Sequence, residues 1–386
     1  MNTFIIPAGF QDLMDVHGFV KKEFLLVISA ALALTSLFLV PMDTVASYDY
    51  LRIMETICTL LFFLLIVAGL KECRALDILA RKTLWNLRTT TSLCLVLILL
   101  PFFCAMLFSN DVSLLTFVPL AITILCVAEQ KRLIPIVIIL QTVAANIGSS
   151  LTPFGNPHNL YIYNLDDHYG FTLMEYEMAL IPIVIVGITA VIAMTMLIPR
   201  HDLSVEFGER IELQHRPQFF VILALFAVAI ITVLDVIPFY ITAVVMVAAF
   251  LIMMPRVLMK VDYCILFVFF FLFVFANGIT NLDSVHSVLS DLMADNPMMT
   301  TVAVSQFTSN VPATILLQPF TDDWAAVLVG ADIGGFGTPI ASMAFVITLR
   351  LYLLNKDADL KLYFRTFITV NIVMLALLIP TYYLLC

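Results

Sequence analysis

Two long apolar stretches of this chain carry the same eight-residue phrase, built from residues that an intact buried helix avoids. Asn146-Ile147-Gly148-Ser149-Ser150-Leu151-Thr152-Pro153 returns as Asp332-Ile333-Gly334-Gly335-Phe336-Gly337-Thr338-Pro339. Each copy follows a second shared phrase: Ser109-Asn110, with Pro119 nine residues after the Asn, returns as Ser309-Asn310 with Pro319 at the same spacing. Proline removes a backbone bond and glycine permits unusual angles, so both phrases unwind a helix. Inside a bilayer such a break survives only where protein or a watery cavity satisfies the freed backbone groups. Two matched breaks in two halves are the pattern of a secondary transporter's binding site.

The bilayer follows from composition. The 386 residues are 62% hydrophobic and 12% charged, with a mean hydropathy of +1.05. A soluble domain carries about 25% charged residues, so the expected class is an all-α polytopic membrane protein. The net charge of -9 comes from acidic residues clustered in a few loops, and no basic stripe points to nucleic acid. Cys58, Cys73, Cys94, Cys104, Cys126, Cys264 and Cys386 show no paired spacing and read as small hydrophobes. The first apolar run lacks a cleavage site and is expected to stay as a span.

Runs of about 20 apolar residues mark spans. They cover 24–41, 51–70, 133–163 through the first break, 178–199, 218–235, 237–254, 262–281, 324–349 through the second break, and 362–385. The runs 89–128 and 298–320 are interrupted by Ser-Asn and are expected to form re-entrant hairpins. Lysine and arginine then set the sides. With Lys21-Lys22 cytoplasmic, Lys71, Arg74, Arg81, Lys82, Arg88, Lys131, Arg132, Arg200, Arg210, Arg216, Arg256, Lys260, Arg350, Lys356, Lys361 and Arg365 all fall inside. The loops 164–177 (Asp166, Asp167, Glu175, Glu177) and 282–297 (Asp283, Asp291, Asp295) hold no Lys or Arg and fall outside. Two full crossings over 89–128 leave these sides unchanged.

The halves then read alike: two spans, an amphipathic segment (73–87 and 282–296), a hairpin, a broken span and a closing span. The first hairpin is entered from inside and the second from outside, which defines inverted-topology repeats, each with a re-entrant hairpin and a broken transmembrane helix. The expected division is a cytoplasmic segment 1–23, a first repeat 24–199, a loop and linker span 200–235, and a second repeat 236–386.

Four motifs carry a family resemblance: Phe108-Ser109-Asn110-Asp111-Val112 with Pro119, the run Asn146 to Asn159, Ser305 to Thr314, and the second break. Together they resemble the ion transporter superfamily of divalent-anion:sodium symporters, citrate transporters, arsenite permeases and a branch of sodium/proton antiporters. Within it the chain looks most like short bacterial anion permeases. The resemblance implies a homodimer in the cell membrane that moves a small anion by an elevator motion, with hairpin tips and helix breaks forming the site. Dicarboxylate symporters of this family carry Ser-Asn-Thr at each tip. Here Asp111 and Val311 replace the Thr, which argues against a dicarboxylate and leaves the fold untouched.

Substrate contact is accordingly expected from Ser109, Asn110, Thr152, Pro153, Asn156, Ser309, Asn310, Thr338 and Pro339. Helix N-termini at the tips suit an anion, although Ser and Asn there also serve as simple caps. A coupling sodium ion or proton, the one cofactor-like partner foreseen, is expected at Asn110, Asp111, Asn146, Gly148, Ser149, Asn310, Asp332 and Gly334. A carboxylate at bilayer depth costs about 2.5–3.5 kcal/mol on insertion scales and usually has a role. Asp332 has a neutral repeat partner in Asn146. His158 is expected at the interface near the outer surface, and Glu55 snorkels from the start of its span. No GxxxxGK[ST] phosphate loop, HExxH or GxGD occurs, so ATP use and intramembrane hydrolysis are disfavoured. A sodium/proton antiporter is the nearest rival, and a channel fits matched breaks less well.

Overall fold

The computed structural model describes residues 23–46, 48–84, 87, 89–165, 170–202, 213–355 and 358–385. Lys21-Lys22, Arg88, Asp166, Asp167, Arg210, Lys356 and Cys386, used above, lie outside these residues. Among the described residues the first hairpin is preceded by α1 (Phe24–Leu39), α2 (Met42–Ala46), α3 (Tyr50–Glu72) and α4 (Ala75–Leu84). The hairpin is α5 (Thr90–Phe108) and α6 (Asn110–Val127), and the first broken span is α7 (Ile134–Ser149) and α8 (Pro157–Tyr163). Then come α9 (Leu173–Met196), α10 (Arg216–Val233), α11 (Phe239–Met253), α12 (Pro255–Leu258), α13 (Tyr263–Thr280) and α14 (Asp283–Asp295). The second hairpin is α15 (Pro297–Thr308) and α16 (Asn310–Leu317), the second broken span α17 (Trp324–Gly334) and α18 (Met343–Leu353), and α19 (Leu360–Leu385) closes the chain. An isolated bridge between Thr89 and Asp202 is the sole β feature among the described residues.

This is an all-α polytopic membrane protein. Among the described residues, eight helical segments are long and apolar enough to cross a bilayer: α3, α5, α6, α7 with its preceding 3-10 turn, α9, α10, α13 and α19. In both hairpins a single non-helical residue, Ser109 or Ser309, separates two helices that pack together. The hairpins differ in length. At about 1.5 Å per residue the 19 residues of α5 reach about 28 Å, whereas the 12 of α15 reach about 18 Å. Only the arms of the first hairpin fall within the about 17–25 residues that a spanning helix needs.

The chain forms two compact units, residues 1–57 with 262–288, and residues 58–261 with 289–386. In the smaller unit α1 lies along α13, and Gly278 lets the helices touch, since a Cβ there would sit 2.6 Å from that of Ser36. The larger unit holds both hairpins and both broken spans. Its most enclosed span is α7, with 83% of its most apolar window buried against 28% for α10. That order explains why α7 tolerates Gln141, Thr142 and Asn146: each faces protein, and Gln141 donates to the Leu97 carbonyl at 2.7 Å.

Glycine sets the distance between hairpin and broken span. A Cβ on Gly148 would run into the backbone carbonyl of Phe102, and one on Gly334 would lie 2.7 Å from the Ser305 Cβ and 3.2 Å from the Val302 Cα. Phe102 and Val302 hold equivalent places, eight residues before the tip asparagines. Overpacking commonly costs about 1–3 kcal/mol. Gly148→Ala, which confronts main chain, should therefore lower the melting temperature in detergent more than Gly334→Ala does. The reverse order would show that the close approach at Gly148 is dispensable.

Candidate functional site

Both hairpin tips hold a serine in backbone conformations that favour glycine. Ser109 has φ 89° and ψ 152°, and Ser309 has φ 76° and ψ 154°. Non-glycine residues in such regions cost of order 1–3 kcal/mol and persist where the surroundings over-determine them. The surroundings here are matched hydrogen bonds. The Asn110 N–H donates to the Gly155 carbonyl at 3.2 Å, and the Asn310 N–H to the Ala341 carbonyl at 2.9 Å. Each acceptor lies two residues after the proline of its break. The Thr152 hydroxyl donates to the Met106 carbonyl at 2.6 Å, and the Thr338 hydroxyl to the Gln306 carbonyl at 2.7 Å. Those acceptors too are equivalent, three residues before the tip serine. Each break is therefore fastened to its own hairpin by one main-chain and one threonine bond.

The asparagines, not the serines, cap the tips. Neither serine makes a side-chain cap, while Asn110 Oδ1 accepts from the Asp111 N–H at 2.7 Å and Asn310 Oδ1 from the Val311 N–H at 3.0 Å. Among the remaining residues expected to meet substrate, Asn156 and Pro153 are buried and Pro339 is exposed. Asn156 Nδ2 donates to the Ser149 hydroxyl at 2.7 Å.

The first break gathers several of the residues expected to hold a coupling ion. Asn110 Nδ2 donates to Asn146 Oδ1 at 2.9 Å, and the Ser149 hydroxyl to the Asn146 carbonyl at 2.9 Å. Asn146 Nδ2 in turn reaches the Ser342 hydroxyl of the second half at 3.5 Å. Asp111, next to Asn110 in the chain, is half-buried, and among the described residues no hydrogen bond or ion pair engages its carboxylate. The Gly148 carbonyl accepts from the Leu151 N–H at 3.2 Å. At the second break the Gly334 carbonyl accepts from Gln306 Nε2 at 3.0 Å.

His158 departs from expectation. It lies in the protein interior rather than at an interface, fully buried, with its Nε2 3.2 Å from Asp332 Oδ1. Burial follows from the seating of α8 against α16 and α17. Asp332 Oδ2, His158 Nδ1, Asn159 Oδ1 and the Tyr176 hydroxyl are all buried without a hydrogen-bond partner among the described residues. The pair joins the distal half-helix of the first break to the proximal half-helix of the second. Thr142 and Thr348 share a hydrogen bond of 2.7 Å, and the Tyr161 hydroxyl donates to Gln318 Oε1 at 3.1 Å, further ties between the halves.

Sequence reasoning passed over Gln306, Asn371 and these interrepeat ties. Asn371 is a lone amide in the apolar run of α19; its Oδ1 accepts from the Gly337 N–H at 3.1 Å. A solitary polar residue inside a greasy span was the available signal. Removing one partner of a buried hydrogen bond typically costs about 1–3 kcal/mol, because the group left behind is buried and unsatisfied. His158→Ala should thus destabilise strongly, and His158→Ala with Asp332→Asn should recover most of the loss in a thermal-unfolding double-mutant cycle. Additive losses would show that the two side chains are energetically independent.

A sequence profile of the citrate transporter family matches residues 19–350. The chain is 31% identical over 333 residues to an uncharacterized transporter of Methanocaldococcus jannaschii, which covers 85% of this chain and 88% of that protein. It is 28% identical over 303 residues to the inner membrane protein YbiR of Escherichia coli, covering 77% of this chain and 79% of that one.

Proposed function

The chain belongs to the citrate transporter family, and from that premise we propose that this secondary transporter moves a small inorganic or carboxylate anion, driven by sodium or protons, in an elevator-type cycle. It works as a homodimer in the cell membrane with its N-terminus in the cytoplasm. The observation that carries the anion is the repeated tip geometry. The helices α6 and α16 begin at the hairpin tips and α18 after the second break, and each helix N-terminus presents free N–H groups and about half a positive charge. Asn110 and Asn310, with Ser109, Ser309, Thr152, Thr338 and Asn156, line these starts. The Asn146, Ser149 and Asn110 cluster supplies oxygen ligands of the kind a hard cation takes, with the Asp111 carboxylate one residue from Asn110.

Uptake by proteoliposomes under imposed sodium or proton gradients tests this reading. Asn110→Ala and Asn310→Ala should each cut uptake at least tenfold while the protein still inserts and melts cooperatively. Normal uptake per folded molecule would reduce both residues to helix caps. A thermal-shift screen of anions, each with and without sodium, identifies the substrate through the stabilisation RT ln(1 + [L]/Kd) that binding to the folded state confers.

The half-buried Asp111, with Asp332, favours a second reading, a sodium/proton antiporter. Anion-independent sodium/proton exchange in the same vesicles would establish it and displace the symporter. On the symporter reading Asp111→Asn should weaken the dependence on the cation more than the affinity for the anion. If Asp111 carries a proton instead, the pH profile of uptake should flatten. Unchanged sodium and pH dependence would leave Asp111 no part in coupling.

A further inference from the structure

The second break contains an arrangement that the first lacks. Gln306 Nε2 lies 3.0 Å from the Gly334 carbonyl, 3.0 Å from the Phe336 carbonyl and 3.1 Å from the Val302 carbonyl. An amide nitrogen carries only two hydrogens, so three acceptors, from α15, the last residue of α17 and the unwound stretch after it, converge on a donor able to satisfy two. Convergent main-chain oxygens of this kind otherwise surround a cation. The rest of the break is shaped to admit this side chain. Gln306 Oε1 accepts from the Thr338 N–H at 3.0 Å. Gly337 has φ 121°, and a Cβ on it would collide with Gln306 Oε1. Asn371 fixes the Gly337 N–H at 3.1 Å. At the equivalent places the first half has Met106, whose thioether offers no donor, and Leu151.

We infer that the amide of Gln306 stands in for a coupling cation at the second break, so that a mobile cation is taken up at the first break alone. The partial positive charge of the amide hydrogens neutralises the three carbonyl dipoles permanently, where a bound ion would do so reversibly. The transporter keeps two structurally equivalent breaks but couples through one. This inference rests on the reading that carbonyls freed at the breaks are cation ligands, and it makes Gln306 a determinant of coupling stoichiometry.

Gln306→Glu keeps the side chain's shape and removes both donors, leaving the carbonyls and a carboxylate to be held together by an ion. The purified variant is melted in sodium chloride, lithium chloride, potassium chloride and choline chloride at equal ionic strength, beside the wild type and Gln306→Ser. Choline is too large to enter, so it serves as the reference. The expected result is a rise of at least about 3 °C in Tm for the Glu variant in sodium or lithium over choline, beyond any rise in the wild type. The Ser variant, which opens space beside the same oxygens, should show a smaller rise of the same sign. Folding of either variant only when a small cation is present also supports the inference. Equal salt responses in all three proteins, stabilisation by low pH without a cation response, or failure of both variants to fold in any salt would overturn it. Wild-type uptake in proteoliposomes decides the transporter reading separately, so the two can fail independently.

Discussion

Hydrocarbon offers a backbone no hydrogen-bonding partner, and that constraint shapes this protein more than any single contact. Each interrupted span leaves main-chain groups that no lipid can satisfy. The hairpin beside it takes them up. Asn110 and Asn310 donate their N–H groups to Gly155 and Ala341, and Thr152 and Thr338 return a hydroxyl to the hairpin. Neither element keeps its form without the other, so tip and break form one structural unit. The strained serines at the tips follow, since the chain must reverse within one residue and still deliver the next N–H to the break. Gly148 and Gly334 make the arrangement reachable by letting the helices approach to backbone contact.

The two halves share these main-chain bonds and differ in the side chains around them. Asn146 corresponds to Asp332, Met106 to Gln306 and Leu151 to Gly337. The first half thus collects neutral amides and hydroxyls around its break. The second encloses an acid against His158 and fills its break with an amide. The shared bonds depend on backbone geometry, which the differing side chains leave intact.

Much of this was legible in the chain itself. The spans, both breaks and both hairpins follow from apolar runs interrupted by Gly, Pro and Ser-Asn, because backbone interruption is visible as residue type. The equivalence of Thr152 and Thr338 was visible in the same way. What stayed hidden depends on which helix sits beside which. His158 reads as an interfacial residue because Pro157 and Asn159 flank it, and only the seating of α8 against α16 and α17 encloses it. Gln306 looks like an ordinary polar residue of a hairpin until the carbonyls of another helix are brought around its amide. Asn371 lies 34 residues from the Gly337 amide it accepts from, beyond any local pattern.

The ties across the halves have a thermodynamic consequence. Asn146 bonds its own hairpin through Asn110 and touches the Ser342 cap of α18, while Thr142 meets Thr348 and His158 meets Asp332. Occupancy at one break that turns Asn146 therefore alters the cap of a helix that starts at the other. For the ion and solute sites proposed above, linkage would make such an influence reciprocal: whatever factor an ion at the first break imposed on affinity at the second, a solute at the second would impose on the ion. On that proposal the two breaks act as one linked unit, and an affinity measured for either ligand is defined only at a stated concentration of the other.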